Sequence, residues 1–292
     1  MTFAIATDTS ANLPTELLQK DAITVIPFSY FIDEQEFTCL DESGFNGEAY
    51  YQMIRAGKRV TTAQINPQRY LEKLTPILAR GQDLLFVGMS SGISGSFHCA
   101  QMAAAQLREE FPERRICVID TLGASLGEGI LVLKAAELRA QGMSLTGVQH
   151  QLMRMRERMY QVFTVDDLMH LRRSGRLSNA AAVVGTVLQI KPLLKGNEKG
   201  QIVSFAKLRG RKRAVAALAE KYDALVEHAE EQIVGIAHAD CPEDAEALAE
   251  LLKKNHPPKQ ILNVVYEPVT GSHVGPGTLA LFFLGGEGVR GK

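Results

Sequence analysis

Three short stretches gather small hydroxyl residues where anion chemistry would use them: "TDTSANLP" from Thr7, "TTAQINP" from Thr61 and "SSGISGS" from Ser90. Each follows an apolar run of strand length or opens a helix-like stretch. In an open parallel sheet, ligands bind at the carboxyl ends of the strands, where helix N-terminal N–H groups attract negative charge. Gly92 and Gly95 let the backbone approach a ligand closely, and Ser94 or Ser96 is placed to cap a helix starting near Phe97. A single serine here serves as an N-cap as readily as a ligand contact. Three clusters together favour an anion site. Their glycine spacing matches neither the dinucleotide fingerprint nor the P-loop, so no nucleotide is implied.

Gly88-Met89-Ser90-Ser91-Gly92 also has the form G-x-S-x-G of a nucleophile elbow. With Asp240 as acid and His273 as base it would complete a serine hydrolase triad in the Ser…Asp…His order. Against it, no HGGG-like oxyanion loop lies upstream, and the helix pattern starts several residues after Ser90. The hydrolase remains an alternative, as does a binder of a small phosphorylated metabolite using the same anion site. His273 stands in "GSHVGPG", whose glycines and proline rule out a helix on a sequence reading, and a loop-held histidine can donate a hydrogen bond or titrate near neutral pH. His98, His150, His170, His228 and His256 fall in helical or helix-end settings that suit the surface, and His238 ends a buried-looking strand.

The elements that must position these groups alternate along the chain. Apolar runs of strand length stand at residues 3–7, 23–32, 84–89, 116–119, 162–165, 202–206, 233–237, 261–266 and 279–284. Helix-period segments lie at residues 95–111, 127–140, 146–159 and 244–254. Strict alternation before residue 145 predicts a parallel sheet with crossover helices, and "GNEKGQIVSFAKLRG" reads as a turn, a strand and a basic helix start, which predicts a mixed sheet. The expectation is an α/β protein of two lobes, residues 1–160 with a parallel sheet flanked by helices and residues 161–292 with a mixed α/β sheet, the ligand site between them.

At 292 residues, with 46% hydrophobic and 22% charged residues, the chain can bury a sizeable core without metals or disulfides. A formal net charge of −1 gives no overall attraction to nucleic acid or an anionic membrane. The four cysteines form no C-x-x-C pair, so neither a zinc cluster nor a disulfide framework is signalled. The start of the sequence lacks a basic, apolar leader pattern, and no stretch reaches the roughly 18 apolar residues of a membrane span. The expected setting is the cytoplasm.

The chain resembles the DegV family over essentially its full length, through "IATDTSANLP", "TTAQINP", "SSGISGSFHCAQMA", "VIDTLGASLGEG", "DDLMHLRRSGRLS", "IKPLL", "KLRGRKRA" and "GSHVGPG" in order. The resemblance implies a two-lobed protein that binds a long-chain fatty acid such as palmitate or oleate and is not itself an enzyme. It implies that Thr62, Ser94 and His273 hold the carboxylate, with Ser91, Gly92, Gly95, Ser96 and Gln64 in supporting loops. The partners it implies are a separate fatty acid kinase, which makes acyl phosphate, and an acyl-phosphate acyltransferase feeding phospholipid synthesis. Arg176 and Arg209 then become docking contacts for the kinase. No cofactor, metal or nucleic acid is implied. The family often has Thr-Ser-Gln where this chain has Thr62-Ala63-Gln64, so one hydroxyl contact is lost here.

A carboxylate removed from water needs hydrogen-bond donors, and hydroxyls, an imidazole N–H and helix-terminal amides supply them. Affinity comes from the tail: ~0.8 kcal/mol per buried CH₂ over about fifteen methylenes is on the order of 12 kcal/mol before ordering costs. Residues 180–194, apolar beyond one helical face, suit either a tunnel wall or ordinary packing.

Overall fold

The computed structural model describes residues 3–40, 44–179 and 190–292. In chain order the elements are β1 (Ala4–Asp8), α1 (Thr15–Lys20), β2 (Ile23–Ile26), β3 (Ser29–Ile32), β4 (Gln35–Thr38), α2 (Gly47–Arg55), β5 (Val60–Ala63) and α3 (Pro67–Ala79). There follow β6 (Leu84–Gly88), α4 (Ser96–Glu110), β7 (Ile116–Asp120), α5 (Leu126–Ala140), α6 (Leu145–Arg158), β8 (Met159–Thr164) and α7 (Met169–Arg173). The remainder are β9 (Ile190–Gly196), β10 (Ile202–Arg209), α8 (Arg211–Leu225), β11 (Ile233–His238), α9 (Pro242–Asn255), β12 (Gln260–Val265), α10 (Pro268–Val274) and β13 (Leu279–Leu284). The chain divides into two compact units, Met1–Phe45 with Thr61–Arg156, and Asn46–Val60 with Glu157–Lys292. The second unit therefore takes α2 from within the first half of the sequence.

The first unit holds a four-stranded sheet in the order β2-β1-β6-β7. Every pairing in it is parallel, as the crossover pattern predicts. All five residues of β6 are buried, the mark of a strand covered on both faces. The apolar run at residues 23–32 is broken at Pro27 into β2 and β3, because proline cannot donate to a ladder. The β3–β4 hairpin turns on Asp33 and Glu34, both at positive φ (49° and 67°), the two-residue geometry that matches strand twist.

The second unit is built on a six-stranded sheet in the order β10-β9-β8-β13-β11-β12. Only β11 and β12 pair in parallel; the other neighbours are antiparallel. Tyr160, Leu218, Tyr222, Leu248, Leu281 and Phe283 centre its core. Tyr222 meets Phe283 edge to face at 5.2 Å. The expected α/β class, a parallel N-terminal sheet followed by a mixed C-terminal one, is the class found. Of the apolar stretch at residues 180–194, residues 180–189 lie outside the described residues and the rest enter β9.

Candidate functional site

Two of the three hydroxyl loops meet in the first unit. The loop after β5 and the loop between β6 and α4 are joined by Ser96, whose hydroxyl accepts from the Ile65 N–H at 3.0 Å and bonds the Ser94 hydroxyl at 3.0 Å. Ser94 also accepts from the Ser96 N–H at 3.2 Å, so it forms the local hydroxyl turn that opens the helix. Gln64 reaches the Cys99 sulfur at 3.5 Å, and a Cβ at Gly95 would collide with the Gln64 carboxamide. Glycine at 95 thus permits the close approach of the two loops. Thr62, two residues before Gln64, and Ser94 are both half-buried. Ser91 is used differently: its hydroxyl donates to Asp120 at 2.5 Å and its N–H to the same carboxylate at 3.2 Å, tethering the loop to the end of β7.

The third hydroxyl stretch turns inward, which corrects its reading as part of an anion site. Thr7 and Ser10 are fully buried and donate to the two oxygens of Glu128, at 2.9 and 2.5 Å. Glu128, on α5, is itself wholly buried and hydrogen-bonds the Asp8 side chain. Asp8 accepts from the Ser10 N–H at 2.9 Å and the Met89 N–H at 3.2 Å. Burial pushes the Asp8 carboxyl up to about 6, the hydrogen bonds opposing it only in part. This acid pair fastens the end of β1 to the point where the Ser90–Ser96 loop leaves β6.

In the second unit, His273 lies in the helix α10, not in a loop. The glycines and prolines that argue against a helix are its boundary signals. Pro268 takes the first turn, Glu267 caps it by accepting from Val269 and Thr270 N–H (both 2.6 Å), and Gly275 ends it at φ 81° ahead of Pro276. Burial, and secondarily the charge of Arg176, bring the His273 imidazole down to about 4, so the ring is neutral at physiological pH. A neutral ring carries one N–H donor and one acceptor nitrogen. Arg176, half-buried after α7, bonds the Ser174 carbonyl and directs its charge at His273. Arg209 is exposed at the end of β10.

Other groups resolve into structural roles. His238 accepts from the Cys241 N–H at 3.3 Å, which suits a neutral ring in a buried strand end. Ser90 has no exposed surface and accepts from the Gly92 N–H at 3.0 Å, and Asp240 is engaged by Arg55. The helix begins at Ser96, well beyond Ser90, so the elbow geometry is missing. Among the described residues, His228, Glu230 and Glu231 are spaced to reach one cation, and all three are exposed. The sequence pattern does not mark the buried Glu128 or the buried Tyr50 and Tyr51 of α2, and His170, expected at the surface, is half-buried.

A family model described as "uncharacterised protein, DegV family" matches residues 2–285. The chain belongs to the DegV family. Among curated DegV relatives, a domain-containing protein of Clostridium perfringens is 36% identical over 283 residues, covering 97% of each chain. Another, from Lactococcus lactis, is 35% identical over 285 residues and also covers 97% of each. Solved DegV structures agree. A fatty-acid-binding DegV family protein of Thermus thermophilus has a TM-score of 0.88 and 29% identity, covering 98% of this chain and 100% of that one. DegV of Bacillus subtilis, described as a fatty acid binding protein, has a TM-score of 0.83 and 29% identity over the same shares. No helix among the described residues is long and apolar enough to cross a membrane.

Proposed function

We propose that this chain binds one long-chain fatty acid, with Thr62 and Ser94 donating hydroxyls to its carboxylate and His273 supplying an imidazole N–H. The observation that carries the reading is the likeness of the whole chain, at 29% identity, to DegV proteins that bind fatty acids. The joined loops of the first unit support it, since Ser96 holds the Thr62 and Ser94 segments together. The neutral His273 ring keeps one N–H to donate, and the Arg176 charge that acts on it also favours an anion there. The hydrocarbon supplies most of the affinity and the polar residues fix its direction.

The carried acid is presented to a separate kinase that converts the carboxylate to an acyl phosphate, and an acyltransferase then takes the product for phospholipid synthesis. Arg209, exposed at the end of β10, is the docking contact in this scheme. Arg176 follows the resemblance as a second contact, and its charge beside His273 also suits it to steady the phosphate. Extraction of natively purified protein and mass spectrometry should find about one fatty acid per chain, on the stoichiometry of a single head-group site. No extracted lipid together with no binding of added palmitate or oleate overturns the reading. A thermal-shift comparison of sugar phosphates with fatty acids separates the small-metabolite alternative.

A further inference from the structure

The helix that carries His273 is seven residues long, too short to hold its shape without outside support. Its supports are visible at both ends. At the C-terminal end, the Thr278 hydroxyl bonds the carbonyls of Val274 (3.0 Å) and Gly275 (2.8 Å). Beside it, His170 of α7 hydrogen-bonds the Ser272 backbone, and a Cβ at Gly275 would collide with the His170 ring.

At the N-terminal end the support comes from α2, more than two hundred residues away in sequence. The Tyr51 hydroxyl donates to the Tyr266 carbonyl at 2.8 Å, and the Tyr50 hydroxyl to the Pro268 carbonyl at 2.7 Å. These two carbonyls flank Glu267, whose carboxylate caps the first N–H groups of the helix. Every polar backbone group at the entry to α10 named here therefore has a partner, and two of those partners are tyrosines of α2. Tyr51 is completely buried, and its hydroxyl occupies the space a side chain at Gly271 would need. Gly271 has no positive φ to explain it, so the close approach of Tyr51 is the reason for glycine at that position. The far end of α2 is fixed as well, by Arg55 on Asp240, with a second bond from Arg55 to the Asp240 carbonyl at 3.0 Å.

We infer that Tyr51, seated on Gly271 and bonded to the Tyr266 carbonyl, is a positioning residue for His273, with Tyr50 as its second support. The functional part of this inference rests on the fatty acid reading. The geometric part does not. Loosening the entry of α10 lets water reach the His273 ring and alters the angle at which its N–H is offered to an anion.

The test uses the full chain. The His273 imidazole, assigned by comparison with His273→Gln, is titrated by NMR in lipid-free protein, and oleate affinity is measured in parallel. In Tyr51→Phe, which keeps the ring and removes the hydroxyl, His273 titrates above its wild-type value and oleate binds roughly tenfold more weakly, the scale of one orphaned carbonyl. Gly271→Ala produces the same two changes by displacing the hydroxyl. The double variant is less impaired than the two single effects predict together, because the phenylalanine no longer presents the atom that the new methyl strikes. Should Tyr51→Phe fold poorly, Tyr50→Phe carries the same measurements. An unchanged His273 titration in folded Tyr51→Phe and Gly271→Ala overturns the inference, as does strict additivity in the double variant. Wild-type protein that binds no oleate removes the fatty acid reading and leaves the titration arm to decide the positioning role by itself.

Discussion

Ser96 accepts a hydrogen bond from the backbone N–H of Ile65 at 3.0 Å, across thirty-one positions of sequence. Ile65 is 1% exposed, so that N–H has no water to turn to. Ser96→Ala should cost about 1–3 kcal/mol, the penalty of an orphaned buried donor, and weaken fatty acid retention because both hydroxyl loops lose their tie. Chemical denaturation with parallel lipid extraction checks this. An unchanged midpoint would show that the tie carries no stability.

Ser94 and Ser90 lie four residues apart and separate the carrier from the hydrolase. Ser94→Ala or Thr62→Ala is expected to reduce retention of bound fatty acid, each by about tenfold for a lost bond to a charged group. Ser90→Ala should leave retention close to wild type. Ester hydrolysis that disappears in Ser90→Ala would restore the hydrolase.

Asp8 and His273 give stability opposite dependences on pH. The Asp8 carboxyl is raised to about 6, so between its unfolded pKa and that value the folded state holds the extra proton, and stability falls as pH rises. His273 is brought down to about 4, so from its unfolded pKa down to that value the unfolded state holds the extra proton, and stability falls as pH drops. Relative to wild type, Asp8→Asn should tilt the profile of melting temperature between these limits towards climbing with pH, and His273→Gln towards declining with it. Profiles of equal slope in all three proteins would show that neither group is shifted.

Oleate binding should raise the titration of His273, since a carboxylate beside the ring favours its protonated form. NMR with and without oleate reads this directly. A titration that does not move would place the carboxylate away from His273.

On the proposed docking scheme, Arg209→Ala should leave fatty acid binding intact and lower phosphoryl transfer to the bound acid by the proposed kinase. Binding assays and turnover with radiolabelled ATP separate the two. Unchanged turnover would remove Arg209 from the docking surface.

The architecture was readable wherever burial imposed a local period. Continuous apolar runs such as residues 84–89 and 279–284 announce buried strands, and helix-period segments between them announce crossovers. The hydroxyl loops were readable because small residues at strand ends are a local pattern. The helical setting of His273 is not legible in the sequence, since Pro268, Gly275 and Pro276 mark the ends of a short helix as readily as they mark a loop. Nothing local marked Glu128, which looks like an ordinary helix glutamate until Thr7 and Ser10 reach it from 121 and 118 positions away.

By itself, the order of residues determined the class of fold, the family and the segments that carry hydroxyls and histidine, because each of these is written in neighbours a few positions apart. Only tertiary structure decided which serines turn inward to Glu128 and which stay half-exposed, and that Tyr50 and Tyr51 grip the helix of His273. Those outcomes depend on polar groups finding partners across 118 to 218 positions of chain, and hydrogen-bond pairing at such separations leaves no period in the sequence to read.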